Sequence, residues 1–320
     1  MPMPNYKEVK SILNKSKKRD PWFLDDYTIN MYSGCSFNCL FCYIRGSKYG
    51  EHMERSMSLK QNALNILDKQ LYNRAKKGQY GIIVLSSSTD PYLHFEEEFK
   101  QTREALLLIK RHRFPIHIIT RSSLIERDLD IIKDINRNAI LPNDLKARGL
   151  NQGAIISFSF SGIQDDINKI FEPGAPLPSE RLNSIQRIKK EDLMVGIGLM
   201  PLLPYITDTK DQLNLMLETF SNLNVDYILP ASLGLYGNGP TDSKTIVLRA
   251  IQKHFPELEQ KYHHFFNKQN QMPNFYKNAL DTKVKELCAQ YNLKNTIINT
   301  YENSDNKKID HSSAIQTRLF

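Results

Sequence analysis

Short, strongly apolar runs alternate along this chain with longer stretches whose apolar residues fall at helical spacing. Tyr27-Thr28-Ile29-Asn30-Met31-Tyr32 has the alternating, aromatic and β-branched character of a strand. Leu59 to Arg74 then places Leu59, Ala63, Leu64, Ile66, Leu67 and Leu71 on the pattern of a helix. The unit recurs. Gly81 to Ser86 is apolar enough to be a strand buried on both faces, and Glu97 to Arg111 is its helix. Pro115 to Thr120 pairs in the same way with Ile125 to Ile135, Ala154 to Phe160 with Ser179 to Ile188, and Met194 to Met200 with Asp211 to Leu223. Asp226 to Pro230 reads as a sixth strand. Strands and helices in this rhythm predict an α/β fold with a parallel sheet and right-handed crossovers, a partial or closed (β/α)6 TIM-like barrel. Functional groups should then sit on the loops at the C-terminal ends of the strands.

The pattern changes at both ends. Residues 1–26 are basic and polar, with Lys15, Lys17, Lys18 and Arg19 ahead of Pro21-Trp22-Phe23, and read as an arm that docks through its aromatics. The barrel is expected over 27–231, with the polar stretch Asn138 to Gly153 as a surface insertion. Beyond it, helices at Thr245 to Phe255, Pro256 to Phe266 and Asn274 to Gln290 predict a helical extension over 232–300, packed on the barrel. Residues 301–320 form a polar tail. The adjacent His263 and His264 point in different directions on a helix, which favours core and surface roles over a shared ligand. Cys288 falls in the apolar stripe Leu280, Val284, Leu287 and reads as a small buried hydrophobe.

Composition changes this picture little. A chain of 320 residues can bury a large core, and its formal net charge of +8 favours acidic partners such as nucleic acid, though a lysine-rich soluble surface gives the same excess. The opening Met1-Pro2-Met3-Pro4 lacks an apolar signal region, and no apolar run is long enough to span a bilayer, so the expectation is a cytoplasmic protein without a membrane partner.

The cysteines change it most. Three of the four lie in Tyr32-Ser33-Gly34-Cys35-Ser36-Phe37-Asn38-Cys39-Leu40-Phe41-Cys42-Tyr43, spaced CxxxCxxC after the first strand. Three thiolates this close cannot all pair as disulfides, and they converge naturally on a metal centre. A structural zinc site usually takes four protein ligands, and no second cysteine pair exists; a zinc or redox centre nevertheless remains an alternative. An iron-sulfur cube held by three cysteines would leave one iron open for an exogenous ligand. The other strand ends carry polar groups: Ser86-Ser87-Ser88-Thr89-Asp90-Pro91-Tyr92, Thr120-Arg121-Ser122-Ser123, Ser157 and Ser159 on one face of the fourth strand, and Gly196-Ile197-Gly198 in the fifth. Taken singly, Asp90-Pro91 is also ordinary turn chemistry and Arg121 an ordinary cation, while Glu172 and Arg181 are expected to brace a loop.

The spacing CxxxCxxC, with Phe41 just before the last cysteine, resembles the signature of the radical S-adenosylmethionine (SAM) enzymes. Asn30 to Cys35, Ser88 to Tyr92, Ile119 to Ser122 with Arg127-Asp128, and Glu172 to Pro176 with Glu180-Arg181 resemble the branch that includes spore photoproduct lyase, a DNA repair enzyme. The resemblance implies a barrel of the radical SAM type, with a [4Fe-4S] cluster on Cys35, Cys39 and Cys42 and SAM chelated at the open iron. It implies Thr89 and Asp90 beside the methionine amino group, Arg121 on its carboxylate where relatives have lysine, and Ser157 or Ser159 at the ribose. Phe41, Ser88, Ser122 and Gly196 complete the expected cofactor shell. The expected reaction is reductive cleavage of SAM and abstraction of hydrogen from a substrate, with a flavodoxin- or ferredoxin-like electron donor. Nucleic acid is one substrate class; a peptide or metabolite is another, and a non-catalytic iron-sulfur or zinc regulator is the alternative from a different class. In the lyase, tyrosines flank the third cluster cysteine and a cysteine precedes the aspartate by three residues, together returning hydrogen to the substrate. Here those positions read Phe41, Tyr43 and Ser87, so only Tyr43 could serve in such a relay, and dimer reversal itself is not expected.

Overall fold

The computed structural model describes residues 4–47, 57–85 and 87–298. The expected polar tail 301–320 and Ser86 lie outside them. The chain opens with β1 (Asn5–Lys7) and β2 (Asn14–Lys15), then β3 (Tyr27–Ile29), β4 (Tyr32–Ser33), β5 (Ser58–Lys60) and α1 (Ala63–Lys76). Next come β6 (Ile83–Leu85), α2 (Glu96–Phe99), α3 (Gln101–Arg111), β7 (Ile116–Thr120), α4 (Leu129–Asn138) and α5 (Asn143–Ala147). They are followed by β8 (Ala154–Phe160), α6 (Asp165–Phe171), α7 (Pro178–Ile188), β9 (Met194–Leu202), α8 (Lys210–Asn222) and β10 (Tyr227–Ser232). The C-terminal helices are α9 (Ser243–His254), α10 (Glu259–Phe266) and α11 (Asn274–Gln290).

β3, β6, β7, β8, β9 and β10 lie side by side in chain order, every neighbouring pair parallel, and β2 adds an antiparallel edge beyond β3. These are the six strands that the apolar runs predict. All seven residues of β8 and all three of β6 are buried, because helices cover one face of the curved sheet and the other faces its own lumen. Leu24, Ile82, Val84, Ile155, Tyr227 and Leu229 pack around the N-terminal ends of the strands, with Trp22, Phe23, Ile297 and Ile298 against them. One end of the lumen is therefore plugged with hydrocarbon, and the C-terminal ends of the strands carry the opening. On the outside, α11 packs on α8 and β10.

Several local expectations give way to tertiary contacts. The helix expected from Leu59 starts at Ala63, because Ser58–Lys60 pairs with β1 on one side and β4 on the other, and Leu59 lies buried opposite Tyr32. The helix expected over Glu97 to Arg111 is broken at Lys100, whose φ of 51° is left-handed. The buried Glu96 carboxylate causes the break: it accepts the Thr102 and Arg103 amides (3.0 and 3.2 Å) and so caps α3. Residues 138–153 run over the surface as expected but are anchored there, since Leu145 and Leu150 are buried in the cluster below the barrel. The basic opening segment is woven into both sheets and buries Ile12, Leu13 and Leu24. Cys288 is buried in α11, and His263 and His264 are exposed on α10. No helix among the described residues is long and apolar enough to cross a membrane.

Candidate functional site

A cavity of about 230 Å³ opens at the C-terminal ends of the parallel strands. Each strand brings something to it. The loop after β4 contributes Cys35, Cys39, Phe41, Cys42 and Tyr43; the loop after β6 contributes Ser87, Ser88, Thr89 and Asp90. Arg121 follows β7, Ser159 lies near the end of β8, Met200 and Pro201 in β9, Ser232 in β10 and Gly234 just beyond it.

The cysteine loop is held from several directions. Gly34 (φ 80°) and Asn38 (φ 53°) turn its backbone through the left-handed region. Thr89 Oγ1 donates to the Gly34 carbonyl. The Leu40 amide donates to the Phe171 carbonyl (2.8 Å) and the Gly174 amide to the Phe37 carbonyl (3.0 Å), so the segment after α6 grips the loop. A side chain at 174 would not fit, since a Cβ there would lie 2.3 Å from the Ser36 carbonyl oxygen. Arg45 Nε donates to the Cys39 carbonyl (3.0 Å), and its guanidinium also reaches Asn38 and the Thr241 carbonyl (3.2 Å).

Behind the loop, Glu172 and Arg181 form an ion pair with both side chains fully buried. Arg181 also donates to the Pro176 and Ser159 carbonyls (both 2.9 Å), and Ser161 donates to Glu172 (2.8 Å). Together they brace the cysteine loop and the end of β8, the bracing role expected from sequence. Arg121 reaches the same carboxylate, with Nε 3.4 Å from Glu172 Oε2, close enough for charge attraction but out of hydrogen-bond alignment, which leaves that buried N–H without a partner. Its Nη2 donates to the Met200 carbonyl (3.2 Å), and its guanidinium carbon stands 5.9 Å from the centre of the Phe41 ring.

The electrostatics of the cavity follow from burial. Desolvation pushes the Cys35 thiol up to about 12, with Asp90 and Cys42 adding repulsion. Burial also raises Cys39 and Cys42, against which the Arg121 charge acts to lower both. Burial opposes the charge on Arg121, but Cys39, Glu172, Asp90 and Cys42 outweigh it and hold the guanidinium above its usual value. Desolvation raises Asp90, although it accepts the Tyr92 and Arg121 amides and the Thr120 hydroxyl (2.8, 2.8 and 2.7 Å). A carboxylate has about four acceptor positions, so three bonds leave Asp90 one more.

Not every expected residue reaches the cavity. Phe41, Ser88, Thr89, Asp90, Arg121 and Ser159 line it with the three cysteines; Ser122, Ser157 and Gly196 do not. The Ser122 hydroxyl accepts the Leu124 amide and starts a turn of 3-10 helix. Ser157 is bonded to His117 Nε2 (2.8 Å) and the Tyr227 hydroxyl (2.7 Å). Gly196 makes room for the Tyr227 ring, which would lie 2.1 Å from a Cβ there, so its close approach is to a side chain rather than an adenine. Tyr43 donates its hydroxyl to the Ser87 carbonyl, which brings together two of the three positions compared with the hydrogen-returning relay. The sequence reading missed Phe23, Asp25, Thr28, Val84 and Ile119, which line the inner part of the cavity. Strand alternation could have pointed to Thr28, a polar residue between Tyr27 and Ile29; nothing local marks Asp25.

Among the described residues, no three His, Cys, Asp or Glu side chains are drawn together as ligands of a single metal ion. The donor set of the cavity is the buried thiol of Cys39 and the partly buried thiols of Cys35 and Cys42, each within electrostatic reach of another, with a guanidinium beside them. Three sulfur donors with a cation to balance their charge fit an iron-sulfur centre.

The model of the Radical SAM superfamily matches residues 29–217. An uncharacterized protein of Mycobacterium tuberculosis is 23% identical over 273 residues, covering 83% of this chain and 75% of that protein. A Pseudomonas phage M6 protein named radical SAM Nalpha-GlyT isomerase is 22% identical over 230 residues, 71% of this chain and 44% of its own length. Among solved structures, spore photoproduct lyase complexed with dinucleoside spore photoproduct superposes with a TM-score of 0.59 at 12% identity, covering 89% of this chain and 78% of that one. Streptococcus suis SuiB bound to precursor peptide SuiA gives a TM-score of 0.51 at 10% identity, with 84% and 47% covered. The structural likenesses show a shared fold.

Proposed function

Because this chain belongs to the radical SAM superfamily, we propose that its cavity is the active site of an enzyme that cleaves SAM reductively and takes hydrogen from a substrate. The observation that carries the reading is the meeting of Cys35, Cys39 and Cys42 with Asp90 and Arg121 in one cavity at the strand ends. Bound there, a [4Fe-4S] cluster with SAM on its open iron would supply an electron to the sulfonium and hence a carbon-centred radical able to abstract hydrogen.

The chain's own part is to bind, orient and shield. Cys35, Cys39 and Cys42 are the cluster ligands, and Arg121 beside Cys39 and Cys42 offsets their negative charge. The Arg121 guanidinium, whose Nε–H makes no aligned hydrogen bond, suits a carboxylate, and the open acceptor position on Asp90 suits an ammonium. The Ser159 hydroxyl, which lines the cavity, would serve a ribose, and Phe41 and Met200 would give an apolar wall that excludes water and stray hydrogen donors. Tyr43 is the candidate to exchange hydrogen with substrate, its hydroxyl held on the Ser87 carbonyl until then. Such a cluster needs a low-potential donor of the flavodoxin or ferredoxin class.

The test is titration of the anaerobically reconstituted, reduced protein with SAM, followed by EPR. A changed cluster spectrum and production of methionine are expected. Metal binding with a spectrum indifferent to SAM would instead make this a metal-binding regulatory protein.

A further inference from the structure

The inner part of the cavity is lined by Phe23, Asp25, Thr28, Val84 and Ile119, none of which the cluster or SAM contacts use. Thr28 and Val84 are level in the pairing of β3 with β6, one residue before each strand ends, so both reach the lumen from within the sheet. Phe23, Val84 and Ile119 belong to the apolar cluster around the N-terminal ends of the strands. Into this hydrocarbon wall come one hydroxyl, that of Thr28, and one carboxylate, that of Asp25.

Asp25 and its neighbour Asp26 have different surroundings. Asp26 accepts Nε and Nη2 of Arg19 (3.0 Å each) and the Ile82 amide (2.9 Å), and it does not line the cavity. Asp25 is half-buried; one of its oxygens accepts the Asp20 amide and the other the Ser16 hydroxyl (2.7 Å each). Those bonds fix the orientation of the carboxylate and leave about two of its acceptor positions open.

No cation among the described residues pairs with Asp25, and burial raises its carboxyl above the ordinary value despite both bonds. The Thr28 hydroxyl likewise has no hydrogen-bond partner among the described residues. A desolvated carboxylate without a counter-charge is costly to keep, so a cavity that retains one suits a ligand that brings the opposite charge. Asp25 and Thr28 stand three residues apart, at most about 11 Å of chain, within the span of one small molecule.

We propose that this inner part is the substrate pocket and takes a primary ammonium on an apolar stem, with the nitrogen on Asp25, a second polar contact at Thr28 and the stem against Phe23, Val84 and Ile119. The proposal rests on the radical SAM reading of the cavity and adds the chemical class of its substrate. The cavity is then divided by charge: Arg121 beside the cysteines suits an anionic group, and Asp25 suits a cationic one. Asp25 would repel an anionic substrate, and a wholly apolar one would leave it unpaired.

Isothermal titration calorimetry of the full-length, anaerobically reconstituted protein with hexylamine, 1-hexanol and hexanoate tests the idea. Hexylamine should bind about tenfold to a hundredfold more tightly than 1-hexanol, and hexanoate more weakly than either. Asp25→Asn should erase the preference for amine over alcohol and leave alcohol binding as it was. Thr28→Val, nearly equal in volume, should weaken amine binding about twofold to tenfold. Asp20→Asn, in the same arm but outside the lining, should bind hexylamine as the wild type does. Should Asp25→Asn loosen the arm, the wild-type order of the three probes and the Thr28→Val result still decide. A capped lysine that binds more tightly than hexylamine would put the ammonium on a peptide side chain; weaker binding would put it on a free amine. Equal binding of the three probes by the wild type, or an amine preference that survives in Asp25→Asn, would overturn the proposal. The two readings fail separately: a cluster indifferent to SAM removes the cavity assignment while calorimetry still reports on the pocket, and a missing amine preference removes the pocket while the SAM response stands.

Discussion

Two buried polar clusters lie within the same barrel and have opposite characters. Behind the cysteine loop, Glu172, Arg181 and Arg121 form a charged group with an Arg121 N–H left unpaired. Deeper, His117, Ser157 and Tyr227 form a neutral chain in which the bonds close. The Phe23 carbonyl can only accept, so His117 Nδ1 carries the proton (2.9 Å) and Nε2 accepts from Ser157, whose oxygen then accepts from Tyr227. Burial pushes His117 down to about 4 and keeps it uncharged. Buried polarity is thus a poor guide to function on its own. Donor or acceptor capacity still unspent, and turned toward a cavity, is the better one.

The severest break is Cys39→Ala, for which loss of both cluster absorbance and SAM cleavage is expected after reconstitution; cleavage at the wild-type rate would remove the cysteine loop from the chemistry. Next in size, Arg181→Ala strands the Glu172 charge in the interior and should lower unfolding stability by about 3–5 kcal/mol, read by chemical denaturation. The neutral chain should answer to pH instead. His117 titrates near 4 in the fold and near 6.5 when unfolded, so the unfolded chain binds the extra proton between those values. Its contribution is fully present above about pH 6.5 and is lost as pH falls toward 4, on the order of 3 kcal/mol, and His117→Gln should flatten that slope. Arg121→Met should weaken SAM binding about tenfold to a hundredfold, since a charge-assisted bond contributes about 1.5–3 kcal/mol, with Arg121→Lys restoring much of it. The smallest and sharpest test is a pair. Ser157→Ala should destabilise by about 1–3 kcal/mol with SAM affinity unchanged, whereas Ser159→Ala should leave stability nearly intact and weaken SAM binding about twofold to tenfold. Equal behaviour of the two serines would erase the distinction between the clusters.

Those serines also show where reading the chain stops. Period-two alternation places Ser157 and Ser159 on one face of β8, and nothing local separates them. Ser157 lies level with Gly196 in the register and meets Tyr227, while Ser159, two residues nearer the strand end, opens on the cavity. Gly196 misled for the same reason: a glycine in a strand signals close approach without saying by what. The helix expected from Leu59 failed because its first turn was taken by strands distant in sequence.

The amino-acid order alone determined the six parallel strands, their helices and the family, because hydrophobic period and thiol spacing are local properties that survive without a partner. Only the folded chain decided which polar side chains share the cavity and that the N-terminal segment supplies Phe23 and Asp25 to it. Those are contacts between residues far apart in the chain, and whether a side chain's hydrogen bonds are already spent there is a property of its neighbours in space.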